Sequence, residues 1–188
     1  MSNALDDLKS RCLSCNACKL CATRTNVVFG EGPADAKIMF VGEGPGADED
    51  EQGRPFVGKS GRLLEQYMAA AGLSRYENVY IANMVKCRPP ENRDPSEEET
   101  DACLPWLRGQ FRCLRPGLIV CVGRISAQKL ISPDFRITKQ HGEFFEKNGT
   151  LVTATLHPAA LLRDPRKKGE ALLDFMKIRK MAEEKGLV

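Results

Sequence analysis

Apolar positions in this chain bunch into four short runs: Lys37–Val41 (KIMFV), Asn78–Val85 (NVYIANMV), Leu118–Val122 (LIVCV) and Leu151–Leu156 (LVTATL). Short, nearly continuous runs of this kind suit strands covered on both faces. The stretches between and after them have helical spacing. Gly61–Ala71 places Leu64, Tyr67, Met68 and Ala71 on one face. Ser96–Cys113 opens with Ser-Glu-Glu-Glu, in which Ser96 and Glu99 fit a capping box. Arg124–Ile131 and Glu170–Glu184 complete the set. Strands alternating with helices predict an α/β fold, a parallel sheet sandwiched between helical layers. No repeat or low-complexity segment interrupts the pattern, and Gly/Pro-rich Arg88–Pro95 reads as a loop. A single domain over residues 1–188 is expected, with residues 12–30 forming a cysteine-rich entry segment.

Each predicted strand runs into a loop of unusual chemistry. The four loops are Gly42–Gly46 (GEGPG), Lys86–Pro90 (KCRPP), Gly123 and His157-Pro158. In open α/β sheets, ligands bind beyond the carboxyl ends of the strands. Glu43, Asn83 and His157 all fall at or just past such an end, so parallel strands would bring them to one rim.

Composition narrows the class. Hydrophobic residues make up 42% and charged residues 28%, the balance of a globular protein. No run approaches the ~20 apolar residues that span a bilayer, so no membrane association is expected. The polar, acidic N-terminus is unlike a signal peptide, and a cytoplasmic protein is expected. The net charge of +3 permits nucleic-acid binding without arguing for it.

Eight cysteines change the picture. In a reducing compartment, clustered thiols point to metal or redox chemistry rather than disulfides. Cys12, Cys15, Cys18 and Cys21 recur every third residue; Cys87, Cys103, Cys113 and Cys121 lie far along the chain. A C-x2-C pair gives two thiolates from one turn of backbone, and two more close a four-coordinate site. Spacing leaves the frame open: the early four alone, a zinc site, or an early pair joined by Cys87 and Cys103. Cys121, inside an apolar strand, reads as a core thiol, and Cys113 reads the same way.

The Gly42–Gly46 loop has the glycines of a phosphate cradle but lacks the Gly-Lys-Ser/Thr ending, and Glu43 would repel phosphate. A carboxylate there suits general-base work or stabilisation of positive charge; the plain alternative is a turn. The acidic run Asp48–Glu51 reads as solvated. In GRPFVGKSG, residues 53–61, Phe56 is placed to stack on a flat base or to anchor its loop in the core. Lys59 and Ser60, at a helix start, suit a DNA phosphate. His157 is either a structural cap or a catalyst. After it, Leu161 or Leu162 beside Arg163 suits a wedge pushed into a base stack, unless both leucines face the core. Arg163, Arg166, Lys167 and Lys168 form a basic cluster that favours a polyanion. His141 carries no partner signal.

GEGPG, GRPFVGKSG, NMVKCRPPENR and HPAALLR, in that order, together with Cys15-Asn-Ala-Cys18, resemble the family 4 uracil-DNA glycosylases, iron–sulfur enzymes of bacteria and archaea. The resemblance covers about residues 12 to 165. It implies a four-stranded parallel sheet in a three-layer α/β/α fold and a [4Fe–4S] cluster on Cys15, Cys18, Cys87 and Cys103. Cys12 and Cys21 then become extras. It further implies a monomer acting on uracil in single- or double-stranded DNA. Gly42, Gly44, Glu49, Phe56, Asn83 and His157 would surround the base: Phe56 stacking, Asn83 reading the uracil edge, His157 contacting O2, and Glu49 or the glycine loop excluding thymine's methyl. Glu43 and His157 would be catalytic. Leu161 matches the wedge position, and Lys59, Ser60 and Arg163 would touch DNA.

Three departures stand out. Ala159 and Ala160 replace a Ser and an aromatic frequent in relatives, which removes one phosphate contact. Glu43 stands where other uracil glycosylases carry Asp or Asn. The Cys87–Pro95 loop lacks the histidine with which some relatives trap DNA covalently, so no trapping is expected. The rivals are a glycosylase for another deaminated base, a non-catalytic uracil-DNA binder, and an iron–sulfur electron carrier built on Cys12–Cys21.

Overall fold

A computed structural model describes residues 4–188; the first three residues of the expected domain lie outside it. In chain order the elements are α1 (Ala4–Leu13), β1 (Ile38–Gly42), α2 (Ala47–Gln52), α3 (Lys59–Ala70), β2 (Val79–Asn83), α4 (Glu97–Leu114), β3 (Leu118–Val122), α5 (Arg124–Leu130), α6 (Ile137–Gln140), β4 (Phe144–Lys147), β5 (Thr150–Thr155), α7 (Pro158–Arg163) and α8 (Lys168–Glu184). The sheet order is β2-β1-β3-β5-β4. The first four strands are parallel, as the apolar runs predict.

The fifth strand corrects the four-stranded expectation. β4 pairs antiparallel with β5 and closes one edge of the sheet. Between them Asn148 and Gly149 both take positive φ, 50° and 76°. That is the backbone of a tight hairpin turn, which Asn-Gly adopts most readily.

Every residue of β1, β2 and β3 is buried. The strand's two-residue period sends alternate side chains into two cores. Met39, Val41, Tyr80 and Ala82 face Leu107 of α4, while Ile38, Phe40, Val79 and Ile81 face Leu64 and Met68 of α3 and Phe175 of α8. Phe175 stacks on Phe40 and Tyr67, with ring centroids 5.8 and 5.3 Å apart. α4 starts with the expected box: Ser96 Oγ accepts from Glu99 N, and Glu99 Oε2 accepts from Ser96 N. Arg93 adds a two-pronged bond to the same carboxylate (2.7 and 2.8 Å), holding Glu99 well below its ordinary range, at about 2.

β2 ends at Asn83, two residues before the predicted Val85. Met84 N and Val85 N bond instead to Gly42 O and Glu43 O, which lashes the loops after β1 and β2 side by side. His141, unassigned from sequence, hydrogen-bonds through Nδ1 to buried Asp174 at 2.8 Å, and Thr155 Oγ1 donates to the same carboxylate. These bonds pin the end of β5 and the turn after α6 to α8.

Candidate active site

One open cleft lies at the carboxyl ends of the parallel strands. Glu43, Gly44, Glu49, Phe56, Lys59, Ser60, Asn83, His157 and Arg163 all line it, as do the two leucines of α7. Gly42 sits beneath. It pairs with Asn83 across the β1–β2 ladder, and a Cβ on it would come within 2.4 Å of Asn83 Oδ1 and 2.5 Å of Phe56 Cζ. Only a glycine lets those two side chains meet over the strand end.

Asn83 is 1% exposed, and its Oδ1 has no hydrogen-bond partner. A buried acceptor left unpaired costs about 1–3 kcal/mol, so this position favours a ligand carrying an N–H. His157 caps α7: its Nδ1 accepts the backbone N–H of Ala159 at 3.2 Å. Burial, aided by the Arg163 charge, pushes the imidazole down to about 4. The ring is therefore neutral at pH 7, its proton sits on Nε2, and that atom is a donor. Glu43 is driven the other way. Burial first, then the charge and hydrogen bond of Asp94, raise it to about 7, against the pull of Arg124. Asp94 is itself ion-paired with Arg124.

Phe56 is buried in the core and faces the cleft at once, with its ring centroid 6.0 Å from that of His157. Its φ of 52° is unusual for a bulky residue. Arg75, 2% exposed, holds the strained turn by donating to Pro55 O at 2.6 Å and Phe56 O at 2.7 Å.

Two expectations need correction. Glu49 is not a free wall against a methyl group. Its Oε1 accepts from Val57 N and Gly58 N at 2.8 Å each, and its Oε2 accepts from Gly46 N at 3.0 Å, so the carboxylate ties the two glycine loops together. Leu161 is not an exposed wedge. It is 1% exposed and packs into the core, because Pro158 and Leu161, three apart, share the buried face of α7. Leu162, one position on, is 43% exposed at the cleft. Of the basic cluster, Arg163 and Lys167 line the cleft, whereas Arg166 pairs with Asp164. Sequence reasoning missed Arg75, Asp94 and Arg124; Gly123, marked there only as a strand end, has a φ of 99° and would bring a Cβ to 3.0 Å from His157 Cβ.

A second cavity lies behind the β2 loop. Six cysteines line it: Cys12, Cys15, Cys18, Cys21, Cys87 and Cys103, together with Arg24, Lys86 and Trp106. Three sulfurs receive N–H bonds: Cys15 from Trp106 Nε1 (3.2 Å), Cys87 from Arg24 Nη1 (3.3 Å) and Cys103 from Lys86 N (3.2 Å). Burial pushes the Cys87 thiol up and the Cys103 thiol up to about 11, and these donors pull the other way, towards thiolate. Among the described residues, no three ligating side chains stand close enough to share a single metal ion. Cys121 is buried in β3, as expected, and Cys113 is half-buried against the same core.

Comparison with known proteins shows the family. The model of the uracil DNA glycosylase superfamily matches residues 29–177. A type-4 uracil-DNA glycosylase of Archaeoglobus fulgidus is 44% identical, the alignment covering 97% of this chain and 95% of that protein. One from Thermotoga maritima is also 44% identical, over 85% of this chain and 84% of its own. A type-5 enzyme of Pyrobaculum aerophilum is 32% identical over 69% of this chain and 64% of its own. With its rim of Glu43, Asn83 and His157 and its cage of thiols, this chain belongs to the uracil-DNA glycosylase superfamily, in its type-4 family.

Proposed function

We propose that the cleft takes one uracil turned out of DNA and hydrolyses its N-glycosidic bond, leaving an abasic site. The observation that carries this reading is the orphaned Oδ1 of Asn83 at the base of the cleft. It accepts uracil N3–H, while the amide's NH2 donates to O4. Cytosine offers the opposite pattern, and the mismatch would leave buried polar groups unpaired, a discrimination of about 10⁴.

Inside a duplex C1′ is shielded, so the nucleotide must be extruded at a cost of about a few kcal/mol. As the C–N bond breaks, negative charge gathers on uracil O2 and positive charge on the sugar. His157 Nε2–H donates to O2; one such donor is typically worth about 3 kcal/mol. The ring reaches this state neutral and in one tautomer because Ala159 N–H holds Nδ1. Ionised Glu43 faces the sugar cation and orients a water whose oxygen joins C1′; the water's proton passes to the carboxylate. Phe56 stacks on the base, and Lys59, Ser60 and Arg163 contact phosphates. Leu162, rather than Leu161, has the exposure to fill the vacated stack.

The thiol cage fits a [4Fe–4S] cluster on Cys15, Cys18, Cys87 and Cys103. A four-iron cluster takes one thiolate per iron around a cavity and so needs its ligands farther apart than a single ion does. A cluster held by these residues would cross-link the N-terminal segment to the β2 loop and α4. Cys12 and Cys21 border the same cavity without a required place in that set. An electron carrier built on Cys12–Cys21 alone would leave Cys87 and Cys103 dispensable. The reading includes a cytoplasmic monomer, as the family resemblance implies. No helix of the described residues is long and apolar enough to cross a membrane.

The deciding experiment is base release from single- and double-stranded uracil DNA, with free uracil detected as product and hypoxanthine and xanthine substrates in parallel. Uracil release at turnover establishes the activity. Tight binding without release would make the chain a uracil-DNA binder, and release of another base alone would reassign its substrate.

A further inference from the structure

Lys86 is 1% exposed, and its Nζ donates to Asn83 O at 2.9 Å and Gln110 Oε1 at 2.7 Å, 5.9 Å above the centre of the Phe29 ring. All three partners are neutral. No acidic side chain among the described residues pairs with it. A buried ammonium needs a compensating anion, and thiolates holding a cluster in the cage would supply it. Its backbone N–H already donates to Cys103 Sγ at 3.2 Å. One residue thus has its main chain on the cage and its side chain on the strand end that presents Asn83. Gln110 is fixed in turn, donating to Phe29 O at 2.8 Å and Tyr80 Oη at 3.3 Å.

We propose that Lys86 is a positioning residue joining cage to cleft, its ammonium serving as counter-charge to a cluster and as clamp on the Asn83 carbonyl. This rests on the cluster reading given above. Four thiolates outweigh the charge of the iron–sulfur core and leave a net anion; Lys86 and Arg24 are the two cations lining the cavity. A cluster's potential follows its net charge, its hydrogen bonds and its burial. Removing the Lys86 charge makes added negative charge harder to hold, so the potential falls. The same change frees Asn83 O, loosening the turn that aims the carboxamide at the base.

The test compares holoenzymes. Wild type is first assayed for iron; an iron-free, colourless wild type brings down the cluster reading and this proposal with it. With iron present, Lys86→Met is titrated with dithionite under electron paramagnetic resonance and assayed on uracil DNA. Retained iron, a lower midpoint potential and a kcat reduced about 10- to 100-fold at near-constant KM are expected. A residue that merely fills space would lower the melting temperature without moving the potential. Gln110→Glu, which sets a carboxylate against Nζ and neutralises it, is the second variant, and it decides the matter if Lys86→Met fails to load iron. It too should lower the potential. A wild-type potential in every variant that loads iron overturns the proposal.

Discussion

The cleft and the cage solve opposite problems with the same few loops. In the cleft, polar groups are held away from their ordinary states: Asn83 Oδ1 lacks a partner, His157 is kept neutral by burial, and Glu43 is pushed up to about 7. In the cage, polar groups are oversupplied. Six thiols border one cavity and three of them already receive N–H bonds. A site that does chemistry carries its cost in the resting protein and recovers it when substrate binds. A site proposed to cross-link through a cluster has ligands to spare. Single substitutions should therefore be severe at any functional group of the cleft and uneven around the cage.

The largest effect tests that unevenness. With a cluster in the cage the protein should be brown and hold iron; Cys87→Ala, which removes a thiol bonded to Arg24, should abolish both and lower the melting temperature. Cys21→Ala should keep both colour and iron. Stoichiometric zinc in a colourless wild type, measured by elemental analysis, would remove the cluster from the comparison altogether. In the cleft, His157→Ala should lower kcat at saturating DNA by about 10²–10³, the worth of one oxyanion donor, with iron content unchanged. Asn83→Asp replaces the amide donor with a carboxylate. Uracil excision should fall by about 10- to 100-fold and cytosine excision should become measurable; unchanged selectivity takes Asn83 out of base recognition.

A smaller effect lies in pH. The proposed mechanism needs Glu43 ionised, and its folded value of about 7 lies above its ordinary 4.5. The rate should therefore climb as pH rises through about 7. His157, at about 4, protonates only well below that, where a second loss of rate should appear as pH falls. Linkage gives stability the reverse trend at Glu43. An acid whose folded value is raised contributes fully below its unfolded value and loses that contribution as pH rises through the folded one. Asp94→Asn removes a neighbouring negative charge and should move the rate limb to lower pH. A limb unmoved in the variant would separate Asp94 from Glu43.

How much of this was legible follows from what each residue's role depends on. Glu43, Asn83 and His157 are readable because a parallel sheet collects whatever follows its strands, and apolar runs mark the strand ends. The thiol frame is not readable from spacing, since six cysteines satisfy it in several ways until the β2 loop folds against residues 12–21. Arg75 is hidden because it acts on the carbonyls of Pro55 and Phe56, which leave no trace in residue type. Glu49 misleads for a related reason: its carboxylate is spent on three backbone N–H groups. β4 escapes a reading based on apolar runs because Phe144-Phe145-Glu146-Lys147 does not alternate, although Asn148-Gly149 carries the turn.

The mildest prediction concerns the point where helical phase decides between cleft and core. A turn of 100° separates Leu161 from Leu162 on α7, and Pro158 at the first helical position sets which one turns inward. Leu161→Ala should act as a core deletion, costing about 2–5 kcal/mol of stability, seen as a lower melting temperature, with its activity loss following from that. Leu162→Ala should leave melting untouched and slow excision several-fold on duplex substrate while sparing single strands, which have no stack to fill. Rates on the two substrates, measured for each variant, read the phase directly. Equal losses on both substrates for Leu162→Ala would mean that the exposed leucine touches the extruded nucleotide rather than the gap it leaves.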